Sequence, residues 1–146
     1  MDKKELIETI RLSVEGEAWH GPSVKEVLEG VTAEAAAWKP PAGLHSIAEL
    51  TLHITAWMEE IVERLEGRHH KEPPRGNFPQ ATADWDVIRG LPGEALARLL
   101  DTLEAFPERR LSEQAQPGFS FAGLLSGAAQ HNVYHAGQIA LLKKLA

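Results

Sequence analysis

The sequence predicts an all-α fold, a four-helix bundle, and three observations carry that reading. Apolar residues recur at spacings of three and four in four long stretches, cap signals and Gly/Pro breakers punctuate them, and no stretch alternates apolar and polar residues as a half-buried strand would. The 146 residues, 43% hydrophobic and 25% charged, suit one globular domain over 1–146, large enough to bury a core without disulfides.

Each element follows from local pattern. Leu6, Ile7, Ile10 and Val14 place one apolar stripe on a helix opening near Asp2, interrupted at Gly16 and again at Gly21-Pro22. Ser23-Val24-Lys25-Glu26 has capping-box spacing, so a short helix runs to about Glu29 and stops at Gly30; Thr32 caps another turn through Ala37. Lys39-Pro40-Pro41-Ala42-Gly43 breaks the chain, and residues 16–45 together form the longer crossover. A second capping box, Ser46-Ile47-Ala48-Glu49, starts a helix carrying Ile47, Leu50, Ile54, Trp57, Met58, Ile61 and Leu65, which Gly67 ends.

Arg68 to Gln80, with three prolines, one glycine and His69-His70, predicts an exposed loop, followed by a short turn at Trp85 and Ile88. Pro92 suits a first helical position, and Leu96, Leu99, Leu100, Leu103 and Phe106 form the next stripe before Pro107. After the Pro117-Gly118 turn, Ser120 caps the last helix, with Phe121, Leu124, Leu125, Ala128, Ile139 and Leu142 on its core face. Trp19, Trp38, Trp57 and Trp85 are expected in the core or in the wall of a pocket.

Composition narrows the chemistry. The absence of cysteine removes disulfides, thiolate ligands and a cysteine nucleophile, so any metal must bind through nitrogen or oxygen. A net charge of −6 without a basic stripe argues against nucleic acid as a partner. The first residues enter an amphipathic pattern without an apolar signal core, and no stretch is long enough to span a membrane, so the expected location is the cytoplasm.

The sharpest local feature is His131-Asn132-Val133-Tyr134-His135, since imidazoles four apart on a helix stack one above the other and can share a metal. Seven histidines in 146 positions give roughly a third of one such pair by chance, so the spacing alone is weak. The helical projection adds weight, because His131 and His135 fall within the stripe of Leu124, Ala128, Ile139 and Leu142, with Gln138 beside them. Polar groups on a core face need partners or a ligand. Two readings follow: core histidines satisfied by backbone or water, or metal ligands. His53, on the flank of its helix's stripe, is the best third candidate for a site whose fourth position stays open.

Ala18-Trp19-His20-Gly21-Pro22-Ser23, His45-Ser46-Ile47-Ala48-Glu49-Leu50 with His53-Ile54-Thr55-Ala56-Trp57, and His131 through Ile139 closely resemble the DinB/YfiT-like family of metal-dependent enzymes, in order and spacing over nearly the whole chain. The resemblance implies an up-down-down-up bundle in which one histidine of the second long helix joins a His-x3-His pair of the fourth. Those ligands fall on His53, His131 and His135. It also implies a divalent metal ion, zinc or nickel first and iron, manganese or copper as alternatives, and a small-molecule substrate such as a low-molecular-weight thiol. A homodimer is a further expectation from it.

Around these ligands, His20, Trp57, Tyr134 and Gln138 are expected pocket residues, while His45 belongs to the helix start. The zincin pattern is disfavoured by Asn132 where its glutamate would stand. A di-iron carboxylate site is disfavoured because Glu17/His20 and Glu66/His69 sit against glycines at helix ends. An open three-histidine site suits hydrolase or thiol-dependent transferase chemistry, with no residue emerging as general base. The competing reading is a non-enzymatic, stress-associated bundle that binds a metal or small ligand.

Overall fold

The computed structural model describes residues 1–146. Side-chain caps fix where five of its helices start. Asp2 and Glu5 form a capping box ahead of α1 (Lys3–Val14), and Ser23 and Glu26 form another ahead of α2 (Val24–Leu28). Thr32 caps α3 (Ala33–Ala37), and the Ser46/Glu49 box opens α4 (Ile47–Leu65), which ends where Gly67 takes a φ of +85°. A short α5 (Trp85–Ile88) precedes α6 (Leu91–Ala105), with Pro92 in the first turn, where no backbone N–H is required. Ser120 accepts from the Gly123 amide at 3.1 Å and begins α7 (Phe121–Leu145).

The four long helices α1, α4, α6 and α7 make the bundle. α4 lies between α6 and α7, and α1 closes the ring against α7 and α6. Ile10, Ile54, Leu99 and Leu125, one from each, are fully buried at 0% exposure. Each such side chain contributes roughly 1.5–3 kcal/mol of hydrophobic stabilisation. No helix is long and apolar enough to cross a membrane.

Four expectations are corrected, the fourth at His70 in the loop described below. Strands do occur: β1 (Gln114–Gln116) pairs antiparallel with β2 (Phe119–Ser120) around Pro117-Gly118. A ribbon this short leaves no legible alternation, only its turn. Second, the buried line on α7 runs through Phe121, Leu125, Ala129, Asn132, Ala136 and Ile139, whereas Leu124 and Ala128 are only half-buried. The small residues sit in the tight seam, and the larger Leu124 is left facing a cavity. Third, Trp19 is 101% exposed, because the tight turn from Ala18 to Gly21 carries it at its tip. Of the other tryptophans, Trp85 is buried and donates to the Val31 carbonyl at 2.7 Å, while Trp38 and Trp57 are half-buried.

The loop after α4 is tied down by a charged network. Glu60, 0% exposed, accepts from Arg64 Nε at 2.7 Å and lies 3.0 Å from His70 Nδ1. Arg64 also donates to the His70 carbonyl at 3.2 Å and to Gln116 of β1. His70 is therefore half-buried and engaged, where an exposed loop histidine was expected; His69 is exposed. The network satisfies a buried charge and joins α4, the 68–80 loop and the ribbon, which together bound the site.

Candidate metal centre

α4 and α7 pack directly, and their register brings three imidazoles together. His53 lies two turns into α4 from the Ser46 cap. His131 and His135 stack one turn apart on α7. His53 Nε2 lies 2.9 Å from His131 Nε2, and His135 Nε2 lies 3.1 Å from the same atom. The three residues form a cluster whose ligand atoms all fall within 4.8 Å of one another and which can hold a metal ion. No second such cluster is present.

The opposite ring nitrogens set the tautomers. His53 Nδ1 donates to the Asn77 carbonyl at 2.5 Å, and His135 Nδ1 donates to Gln138 Oε1 at 2.7 Å. A carbonyl only accepts, so each Nδ1 carries the proton and each Nε2 presents a lone pair to the centre. Converging lone pairs repel unless a cation or proton lies between them, and outer partners of this kind are what ligating histidines ordinarily have. The donor set fits a borderline divalent metal held by neutral imidazoles.

Electrostatics keep the rings neutral. Burial, reinforced by the neighbouring His135 and His53, pushes His131 down to about 4. Burial also lowers His53, against the opposing bond to Asn77, and lowers His135, against the opposing bond to Gln138. A ligating imidazole must be unprotonated, so these shifts favour metal uptake.

A cavity of about 350 Å³ opens beside the cluster, with His53, His131 and Trp57 in its wall. Trp57 anchors its indole N–H on Asn77 Oδ1 at 2.9 Å, so one loop residue positions both a ligand and a wall. A larger cleft of about 420 Å³ lies elsewhere, lined by charged residues such as Glu15, Lys25 and Arg89, and has no part in the cluster.

The expected site residues separate. His53, His131 and His135 come together, Gln138 holds His135, and Trp57 borders the cavity. His20 and Tyr134 line a different cavity with Thr9, Ser13 and Gln130. Tyr134 is 66% exposed, about 100° around the helix from His135, and its ring meets the His135 imidazole edge-on at 5.0 Å between centroids. His20 is exposed at the tip of the Ala18–Gly21 turn. Glu17, beside it, and the Glu66/His69 pair are likewise exposed and outside the cluster.

Sequence reasoning missed five contributors. Asn77 and Phe78 sit in the loop; Phe78 stacks on His53 at 4.1 Å and on His45 at 3.6 Å, nearly parallel to both. Nothing in the loop's composition marks them. Asn132 was seen only as the wrong residue for a zincin, yet it is 1% exposed and donates to Ser13 Oγ at 3.1 Å. Gly123 and Gly127, one turn apart inside a helix, also line the cavity, and their helical position was a usable signal.

A family model described as the DinB superfamily matches residues 19–139. No curated protein and no solved structure matches the chain.

Proposed function

The chain belongs to the DinB superfamily, and from that premise we propose that it is a metal-dependent enzyme acting on a small molecule, by hydrolysis or by thiol-dependent transfer. The single observation that carries the reading is the convergence of three Nε2 atoms beside a cavity wide enough for a substrate, with His53 and His131 in its wall. His53, His131 and His135 would hold the ion, zinc or nickel by preference for imidazole donors. When bound, the ion supplies Lewis acidity and lowers the pKa of a water or thiol beside it.

The chain's own residues supply the rest. Asn77 and Gln138 hold the outer protons of His53 and His135, fixing ring orientation before any substrate arrives. Phe78 covers one face of His53 and limits water access there. Trp57 and the α7 wall shape the space in which a substrate lies.

A second reading, a bundle that binds a metal or small ligand without turnover, has its own support. No Asp, Glu, Lys or Tyr lines the cavity, so no general base other than the histidines stands ready.

Elemental analysis of purified protein, wild type beside His53→Ala and His135→Ala, tests the site. About one equivalent of metal per chain, lost in both variants, is expected for three-ligand coordination. Absence of metal after reconstitution with zinc or nickel would overturn the proposal. A metal-loaded protein inert toward both ester hydrolysis and thiol transfer would favour the second reading.

A further inference from the structure

The walls of the cavity beside the three histidines restrict what can enter it. Of its 13 lining residues none is Asp, Glu, Lys or Arg. Trp57, Met58, Ile61, Phe119 and Leu124 supply apolar surface, and the remaining polarity comes from the two histidines and the neutral amides of Asn77, Gln116 and Asn132. Arg64, which reaches the cavity-lining Gln116, is also engaged by Glu60 and the His70 carbonyl and is 7% exposed, so it is not free to meet an anionic ligand.

Two further features shape the cavity. Glycine is among the least favourable residues inside a helix, yet Gly127 of α7 lines the cavity, and a Cβ built on it meets nothing within 4 Å. Gly127 is exposed, so its missing side chain leaves the mouth of the cavity open. Asn132 also lines the cavity, and its Oδ1 is the one buried side-chain polar atom without a hydrogen-bond partner.

We propose that this cavity takes an uncharged, largely apolar small molecule, aromatic or branched aliphatic, with one donor atom reaching the histidine cluster. The assignment deepens the proposed function and rests on it for the role of the cluster. A carboxylate or ammonium held against the apolar wall would give up hydration without gaining a counter-charge, so the wall selects the neutral part of a ligand. A volume of about 350 Å³ lies near the small end of ligand pockets, which suits a molecule of one ring and short substituents.

The test compares benzyl mercaptan with its para-sulfonate and para-trimethylammonium derivatives, neither added group being a strong metal ligand. Binding to the full-length, zinc-reconstituted protein is followed by titration calorimetry. The neutral probe should bind at least about tenfold more tightly than either charged one. Gly127→Leu should weaken it by a similar factor while zinc content stays at the wild-type level, with circular dichroism checking the fold. Equal or tighter binding of a charged probe to the wild-type protein overturns the assignment, as does unchanged affinity in a folded Gly127→Leu protein. The same comparison on chelator-treated protein, with toluene against toluenesulfonate and phenyltrimethylammonium, separates the two readings. Failure to take up zinc removes the metal centre, whereas loss of discrimination between neutral and charged arenes removes the cavity assignment.

Discussion

Acidification should loosen the metal-free bundle at a pH where its carboxylates still contribute fully. His131 is held down to about 4 in the folded chain against 6.5 for an ordinary histidine, so between those values the unfolded chain binds a proton that the folded one refuses. Stability then falls as pH drops from 6.5 toward 4, and the loss stops growing below the folded value. At 1.36 kcal/mol per pKa unit, the loss accumulated by about pH 5 is on the order of 2 kcal/mol for His131. His53 and His135 are shifted in the same direction and add to it. Glu26, Glu49 and Glu63 are also lowered, but from 4.5, so their stabilisation is lost only below that pH and leaves the upper window to the histidines.

Urea unfolding of chelator-treated protein at about pH 7.5 and about pH 5 reads this directly. With a slope of about 2 kcal/mol per molar, the midpoint should fall by on the order of 1 M in the wild type. His131→Leu has no proton to refuse there and should lose less, becoming the more stable protein at the lower pH. Equal losses in the two proteins would refute the reasoning, because they would show that the converging imidazoles are not what the fold keeps neutral. Zinc should raise stability at neutral pH and make the decline on acidification steeper, since protons then compete with the metal for the same nitrogens.

Three other outcomes are expected. Gln138→Leu removes the acceptor of His135 Nδ1 and should weaken zinc binding roughly 10–100-fold in a chelator competition, with Gln138→Glu restoring it. Arg64→Met leaves Glu60 buried beside His70 alone and should cost about 3–5 kcal/mol in denaturant unfolding, most of it recovered when Glu60→Leu is added. Gly137→Ala places a methyl where nothing lies within 4 Å on an exposed helical position. It should raise the melting temperature by about 2–4 °C, the equivalent of roughly 0.5–1 kcal/mol.

The parts of this molecule that were legible in the sequence are those built from neighbours along the chain. Ser23/Glu26 and Ser46/Glu49 announce helix starts because cap and partner lie three residues apart, and the His131/His135 pair announces itself because four residues make one turn. The His53 partnership needed the family's pattern, since 78 positions separate it from His131 and no local period spans them. Asn77 is the opposite case. It binds through its backbone carbonyl, a group every residue carries, and so its hold on His53 leaves no trace in residue identity. The α7 face went astray for a related reason: helical projection gave most weight to the large apolar residues, whereas the tight seam selected Ala129 and Ala136 and turned Leu124 and His131 toward the cavity. A side chain left half-buried on the edge of a core stripe is thus where this fold makes room for a ligand. Gly123 and Gly127, unread in the sequence, lie on that same edge, and glycines one turn apart inside a helix mark an opening where the periodicity alone indicated a wall.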